Sequence, residues 1–325
     1  MKIFKKTMNL ILIFMIMGII YSFFFTTYEH FKVNKMINDF KDRANEEFES
    51  EELLHSNGLT YYRRYYEVPR ETSAELNDKR NVFYDNEKQK LGNEGDIFVT
   101  RKSPFPTVPI IHQFISYYYG GHAAIVTYED DQQYFIESTG FLDSGENIFD
   151  YIFQRGNKPH DLHLTVDKTS YNSWQTPSVS EHYYNYFYRD KYIGLRPVNH
   201  FSEMENGDEI YNKYINGAIE KANEKVEEER LYNFLFFLNM RYKYYCTDLM
   251  GRIYDESYQK YVNDDENYRS SGYAKKMNDD GFITSVNDLI LSKDTFIHFY
   301  VEIVEEIIDG QTMIVENIYY LEDVK

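Results

Sequence analysis

The residue on which chemistry would turn is Cys246, the only cysteine among 325 residues. It lies in Tyr244-Tyr245-Cys246-Thr247-Asp248-Leu249-Met250, where an aromatic run gives way to a helical pattern. A single cysteine makes neither an intramolecular disulfide nor a thiolate metal site, so it is an inert buried thiol or a reactive one. A reactive thiol needs a base and a group that orients the base. Far upstream, Gly120-Gly121-His122-Ala123-Ala124-Ile125-Val126 offers His122 at the start of a strand-like run, and the next such run, Tyr134 to Ser138, carries Glu137. Leu249, Met250, Ile253, Tyr254, Tyr258 and Tyr261 follow the cysteine at helical spacing, which places Cys246 at or near a helix N-terminus. Free backbone N–H groups and the helix dipole favour a thiolate there. Asp248 could cap that helix, although its charge would oppose the thiolate.

For the base and its partner to meet, the two upstream runs must pair. His122 to Tyr128 and Tyr134 to Ser138 flank Glu129-Asp130-Asp131-Gln132-Gln133, polar turn residues between β-rich stretches. With an even-numbered loop the pair sums are odd, and even positions of the first strand share a face with odd positions of the second. His122 and Glu137 then lie on one face, where the carboxylate can orient the imidazole and stabilise its charged form. A bulge or an odd loop would separate them.

Around these elements the chain divides by composition. Residues 7–28 carry no charge, and about 20 such residues at about 1.5 Å each cross a bilayer core of roughly 30 Å. A cleaved signal peptide would end in small residues, whereas this stretch ends in Phe23-Phe24-Phe25-Thr26-Thr27-Tyr28, so an uncleaved anchor is expected. Lys2, Lys5 and Lys6 precede the span, and Lys32, Lys35, Lys41 and Arg43 follow it. The short basic tail tips the orientation toward the N-terminus inside and the main body outside. Phe31, Met36, Ile37, Phe40, Ala44 and Phe48 suggest a charged helical stalk over 29–60, with 61–93 as a connecting segment. Further expectations are a strand over Ile97 to Thr100, a helical turn from Ile110 to Tyr119, a strand from Tyr192 to Val198 and a helix from Asp208 to about Asn239. Gly281 to Leu289 reads as a strand entering a short capped helical turn. Two β-rich runs about Asp309-Gly310 end the chain.

Composition narrows the function classes. A formal net charge of −18 excludes a broad cationic face for nucleic acid. No Gly-rich phosphate loop occurs, and His160-Asp161-Leu162-His163 is too short and isolated for a metal site, so no cofactor is expected. The 33 tyrosines and 24 phenylalanines suit sugar stacking or an acyl groove, or reflect codon bias alone.

Taken in order, Gly95-Asp96-Ile97, Gly121-His122-Ala123-Ala124-Ile125-Val126 and Phe135-Ile136-Glu137-Ser138 are followed by Tyr232-Asn233-Phe234-Leu235-Phe236, then Tyr244-Tyr245-Cys246-Thr247-Asp248-Leu249, then Ile283-Thr284-Ser285-Val286-Asn287-Asp288-Leu289. This string resembles the circularly permuted members of the NlpC-like papain-fold cysteine hydrolases, the YiiX/YebB-like group, over residues 94–292. In that permuted order the histidine precedes the cysteine. The resemblance implies an α+β, permuted papain-like (NlpC-like) domain whose antiparallel sheet packs on the nucleophile helix. Cys246 matches the nucleophile, His122 the base and Glu137 the third polar residue. Thr247-Asp248 stands where the family commonly has Ser-Glu, and residues 141–192 are longer than the usual connection.

The organisation expected is therefore a transmembrane anchor (1–28), a stalk and connecting segment (29–93), a hydrolase domain (94–292, with 141–192 inserted) and a β-rich extension (293–325). The function expected is a membrane-anchored, single-pass cysteine hydrolase acting on an amide or ester bond, with cell-wall peptides the target if the domain is extracytoplasmic. Alternatives are a lipid-directed acyltransferase or phospholipase using the same site, and a catalytically inactive surface binding protein. Its partners would be the bilayer, through residues 7–28, and a peptide, amide or lipid-ester substrate.

Overall fold

A computed structural model describes residues 2–45, 49–54, 58–103, 109–140, 165–177, 188–236, 242–262 and 284–324. It is a mixed α+β structure built on one large sheet. Strands β1 (Glu49–Leu54), β2 (Thr60–Val68), β3 (Ile97–Thr100), β4 (His122–Glu129), β5 (Gln132–Ser138), β6 (Val166–Thr169) and β7 (Lys191–Pro197) belong to it. A separate short pair, β8 (Leu231–Tyr232) and β9 (Lys243–Tyr244), precedes the final hairpin of β10 (Thr295–Ile308) and β11 (Gln311–Leu321). The sheet order is β1-β2-β11-β10-β7-β3-β4-β5-β6. Neighbours run antiparallel except β2 and β11, which are parallel.

The middle of the sheet is buried on both faces. Ile97, Phe98 and Val99 of β3, Ala123 to Val126 of β4, and Tyr192, Ile193 and Leu195 of β7 lie in the core. Near-continuous apolar runs are what such doubly covered strands require. Both long hairpins turn on two residues: Asp130 and Asp131 have φ of 48° and 62°, and Asp309 and Gly310 have φ of 51° and 80°. Two left-handed residues in succession match the twist of the flanking strands, and Asp and Gly tolerate that conformation.

Among the described residues six α-helices surround the sheet: α1 (Lys2–Asp42), α2 (Ser73–Asn77), α3 (Pro109–Tyr118), α4 (Gly207–Glu227), α5 (Cys246–Ser257) and α6 (Val286–Leu291). Helix α4 buries Tyr211, Tyr214, Ile215, Ala218 and Ala222 and packs on α5, which in turn lies against β4 and β5. Helix α6 opens with a capping box in which Ser285 and Asp288 bond each other's backbone N–H, the capped turn expected there. Within α1 lies a helix long and apolar enough to cross a membrane; its most apolar 18-residue window has a mean hydropathy of 2.3 and is 6% buried.

Three expectations are corrected. The helical reading of 29–60 fails after Asp42: β1 and β2 follow, and Val33, Ile37 and Phe40 of α1 are buried against the domain. The helical spacing holds as far as Asp42, where it reflects packing against the domain. In β2 the inward positions Tyr61, Arg63 and Tyr65 alternate with less buried ones. A charged residue at the centre of that stripe hid the period; Arg63 is accommodated by an ion pair with Glu316 of β11 at 2.5 Å. The two β-rich runs expected in residues 293–325 are β10 and β11, and they join the main sheet between β7 and β2. The long helix stops at Glu227, where Glu229 turns left-handed (φ 48°) and the chain enters β8. The strand expected at Gly281 to Ile283, the His160 to His163 stretch and most of the 141–192 insertion lie outside the described residues.

Candidate active site

The hairpin brings the base and its partner together by register. Ala124 of β4 faces Glu137 of β5, so His122 is the diagonal neighbour of Glu137 on the same face. The two-residue loop gives the odd pair sums that this arrangement needs. His122 Nε2 and Glu137 Oε2 are 2.5 Å apart. The carboxylate accepts, which fixes the proton on Nε2, and Cys246 is the other group whose interaction with the ring favours its charged form. All three expected residues meet.

Cys246 is the first residue of α5. Tyr245 before it is extended (φ −102°, ψ 165°) and gives the helix no side-chain cap. Its hydroxyl instead accepts from the Thr284 N–H at 2.9 Å. The first-turn N–H groups are thus left to face an anion at the thiol. Two further bonds hold this helix start. Ser138 Oγ donates to Tyr244 O at 2.7 Å, linking the end of β5 to the residues just before the cysteine. Thr247 Oγ donates to Thr284 O at 2.5 Å, tying it to the α6 segment.

Burial and charge act in opposition on His122. Burial disfavours the imidazolium, but the Glu137 charge and the hydrogen bonds to Cys246 and Glu137 outweigh it and hold the ring up at about 9. Glu137 is likewise penalised by burial, yet the His122 charge and hydrogen bond, with the charge of Arg189, keep it below its ordinary value. Asp248 behaves differently from expectation. Burial pushes it up to about 7 despite Arg252, so its opposition to a neighbouring thiolate is weakened.

Two residues of the site carry no catalytic signature in the sequence. Trp174, the only tryptophan, is 1% exposed and stacks on the His122 ring with centroids 6.0 Å apart and planes 15° off parallel. Arg189 covers the tryptophan, its guanidinium 3.9 Å from the ring centroid, and donates to Ser173 O and Oγ at 3.1 and 3.0 Å. The stretch read as an insertion therefore supplies the wall behind the histidine. Its lone Trp was the available clue; Arg189 offered none.

An aromatic path leads away from the thiol. Tyr117 of α3 stacks on Phe23 of the apolar helix at 5.6 Å. Ring contacts continue through Tyr118, Phe114, Tyr119 and Phe236 to Tyr245, the residue before the cysteine. Among the described residues no group of three or more His, Cys, Asp or Glu side chains is arranged to hold a metal ion.

No family model, curated protein or solved structure matches the chain. The arrangement at Cys246 must be read from its own geometry. A thiol at a helix start, a histidine bonded to it and a carboxylate behind the histidine form a set able to carry nucleophilic acyl transfer.

Proposed function

We propose that the chain is a membrane-anchored cysteine hydrolase acting on an amide or ester bond, on a permuted papain-like domain. The observation that carries this reading is the double engagement of His122, by Cys246 on one side and Glu137 on the other. The order histidine, carboxylate, cysteine along the chain, with the thiol on a helix packed against antiparallel strands, supports the permuted arrangement. The apolar part of α1 would hold the domain at a bilayer, and the basic tail before it favours the extracytoplasmic side.

In the reaction Cys246 passes its proton to His122, and the sulfur attacks the carbonyl carbon. The oxyanion of the tetrahedral intermediate is received by backbone N–H groups at the start of α5. His122 then protonates the departing amine or alcohol as the C–N or C–O bond breaks, leaving a thioester on Cys246. A water, deprotonated by His122, attacks the thioester, and the acid product departs with the thiol restored. Glu137 holds the ring orientation throughout. Cys246→Ala and His122→Ala should each abolish hydrolysis and labelling by a thiol-directed probe while circular dichroism is retained; full turnover in Cys246→Ala would refute the mechanism.

Cell-wall peptides suit an outward-facing domain. The aromatic path from Phe23 to Tyr245 favours a second substrate reading, a lipid ester or amide whose acyl chain reaches the thiol from the bilayer. Comparing peptidoglycan fragments with phospholipid vesicles as substrates for the same purified protein separates the two.

A further inference from the structure

A second site lies where α1 leaves its apolar stretch. Between α1, α3 and strands β3, β7 and β10 is a cavity of about 780 Å³, within the range of small-molecule sites. Its wall begins at His30, two residues beyond the uncharged segment 7–28, and ends at Lys41. Contact of Tyr117 with Phe23 sets α3 at the same level. A bilayer crossed by residues 7–28 would bring its headgroup layer to this cavity. Cys246, His122 and Glu137 are not part of its lining.

The wall is cationic, although the chain as a whole is strongly acidic. Lys41, Arg101, Lys102 and Lys191 line it, with Glu302 as the acid. Glu302 is taken by Lys41, and Lys102 by Asp190. Arg101 and Lys191 meet no carboxylate among the described residues. Arg101 is the unusual one. Its guanidinium donates to Asn34 Oδ1 at 2.5 Å and to His30 Nδ1, both neutral acceptors, while the buried Nε has no partner. His30 can accept because its Nε2–H is spent on Tyr117 O at 2.8 Å. Arg43, Arg63, Arg196 and Arg252 each meet a carboxylate. A largely buried guanidinium without a counter-ion is costly, and an anion in the cavity would relieve that cost. The planar fork of Arg suits a phosphate, and phospholipid headgroups supply one at this depth.

We propose that this cavity is a phosphate-binding site at the membrane surface, filled by the headgroup of an anionic phospholipid with Arg101 as its principal contact. It would fix the height and rotation of the domain on the bilayer independently of what Cys246 does.

The test uses the full chain in uncharged detergent, titrated calorimetrically with short-chain phosphatidylglycerol, short-chain phosphatidylcholine and inorganic phosphate. Phosphatidylglycerol should bind saturably, and Arg101→Gln should weaken it by about tenfold or more. Phosphatidylcholine should bind distinctly more weakly. Cys246→Ala should bind phosphatidylglycerol like the wild type, so loss of catalysis leaves the site intact. Should Arg101→Gln fail to fold, Lys191→Gln, on an exposed side chain, decides by the same titration with a smaller loss. Undiminished binding in whichever variant is read overturns the site. Inorganic phosphate binding as tightly as the lipid overturns the lipid assignment, and loss of binding in Cys246→Ala moves the ligand to the thiol.

Discussion

At the scale of single residues, the surroundings of His122 favour its charged form. Its folded value, about 9, lies above the ordinary 6.5, so its contribution to stability is complete below about 6.5 and is lost as pH rises through about 9. Glu137 is shifted the other way, so its contribution is present above the ordinary carboxylate range and fades as pH falls through its lowered value. The pair is therefore strongest near pH 6. Glu137→Gln removes the charge that sustains the imidazolium while keeping the shape of the side chain. We expect the excess Tm of the wild type over Glu137→Gln to be greatest near pH 6 and to shrink above about pH 9. The alkaline limb of hydrolysis, where His122 must be protonated to release the leaving group, should retreat from about 9 toward 6.5 in the variant. Superimposable pH–rate profiles would show that Glu137 does not govern the ring.

At the scale of elements, the site depends on how closely the entry to β4 approaches its neighbour. A Cβ added to Gly121 would lie 1.6 Å from the carbonyl oxygen of Lys102, and one added to left-handed Gly120 would lie 2.4 Å from Val286 Cβ. Backbone must give way in the first case, and His122 is the next residue. Gly121→Ala should destabilise the fold by about 1–3 kcal/mol, by urea titration, and slow Cys246 alkylation disproportionately. A stability loss with an unchanged alkylation rate would uncouple the turn from the site. The sequence made this neighbourhood legible because its cues are local: Gly-Gly before a histidine, a polar loop between two β-rich runs, a thiol opening a helical period. It left Trp174 and Arg189 unread because the stacking of Trp174 on His122, and of Arg189 on Trp174, comes from long-range folding. Asp96 was legible as part of a motif but not in its role. It is fully buried and grips Arg196 with two bonds, at 2.8 and 2.7 Å, a structural brace between β3 and β7.

At the scale of the whole molecule, the apolar N-terminal helix and the domain are one piece. Helix α1 runs without interruption from the apolar segment to Asp42, and its last three turns bury Val33, Ile37 and Phe40 in the main core. Just beyond it, Arg43 makes two 2.8 Å bonds to Glu75, which fasten the helix end to α2. A flexible stalk would let the apolar segment swing relative to the site, whereas this continuous helix holds the two in one geometry. Each of the three side chains contributes about 1.5–3 kcal/mol on burial, so together they approach the net stability of an ordinary domain, about 5–15 kcal/mol. Two truncations follow from that comparison. A chain starting at residue 29 should remain folded, soluble and as reactive at Cys246 as the detergent-solubilised full chain. One starting at residue 45 should expose the surface left by the missing helix, lose most of its cooperative unfolding transition and bind a hydrophobic dye. Equal Tm values for the two truncations would mean that residues 29–44 add nothing to the core.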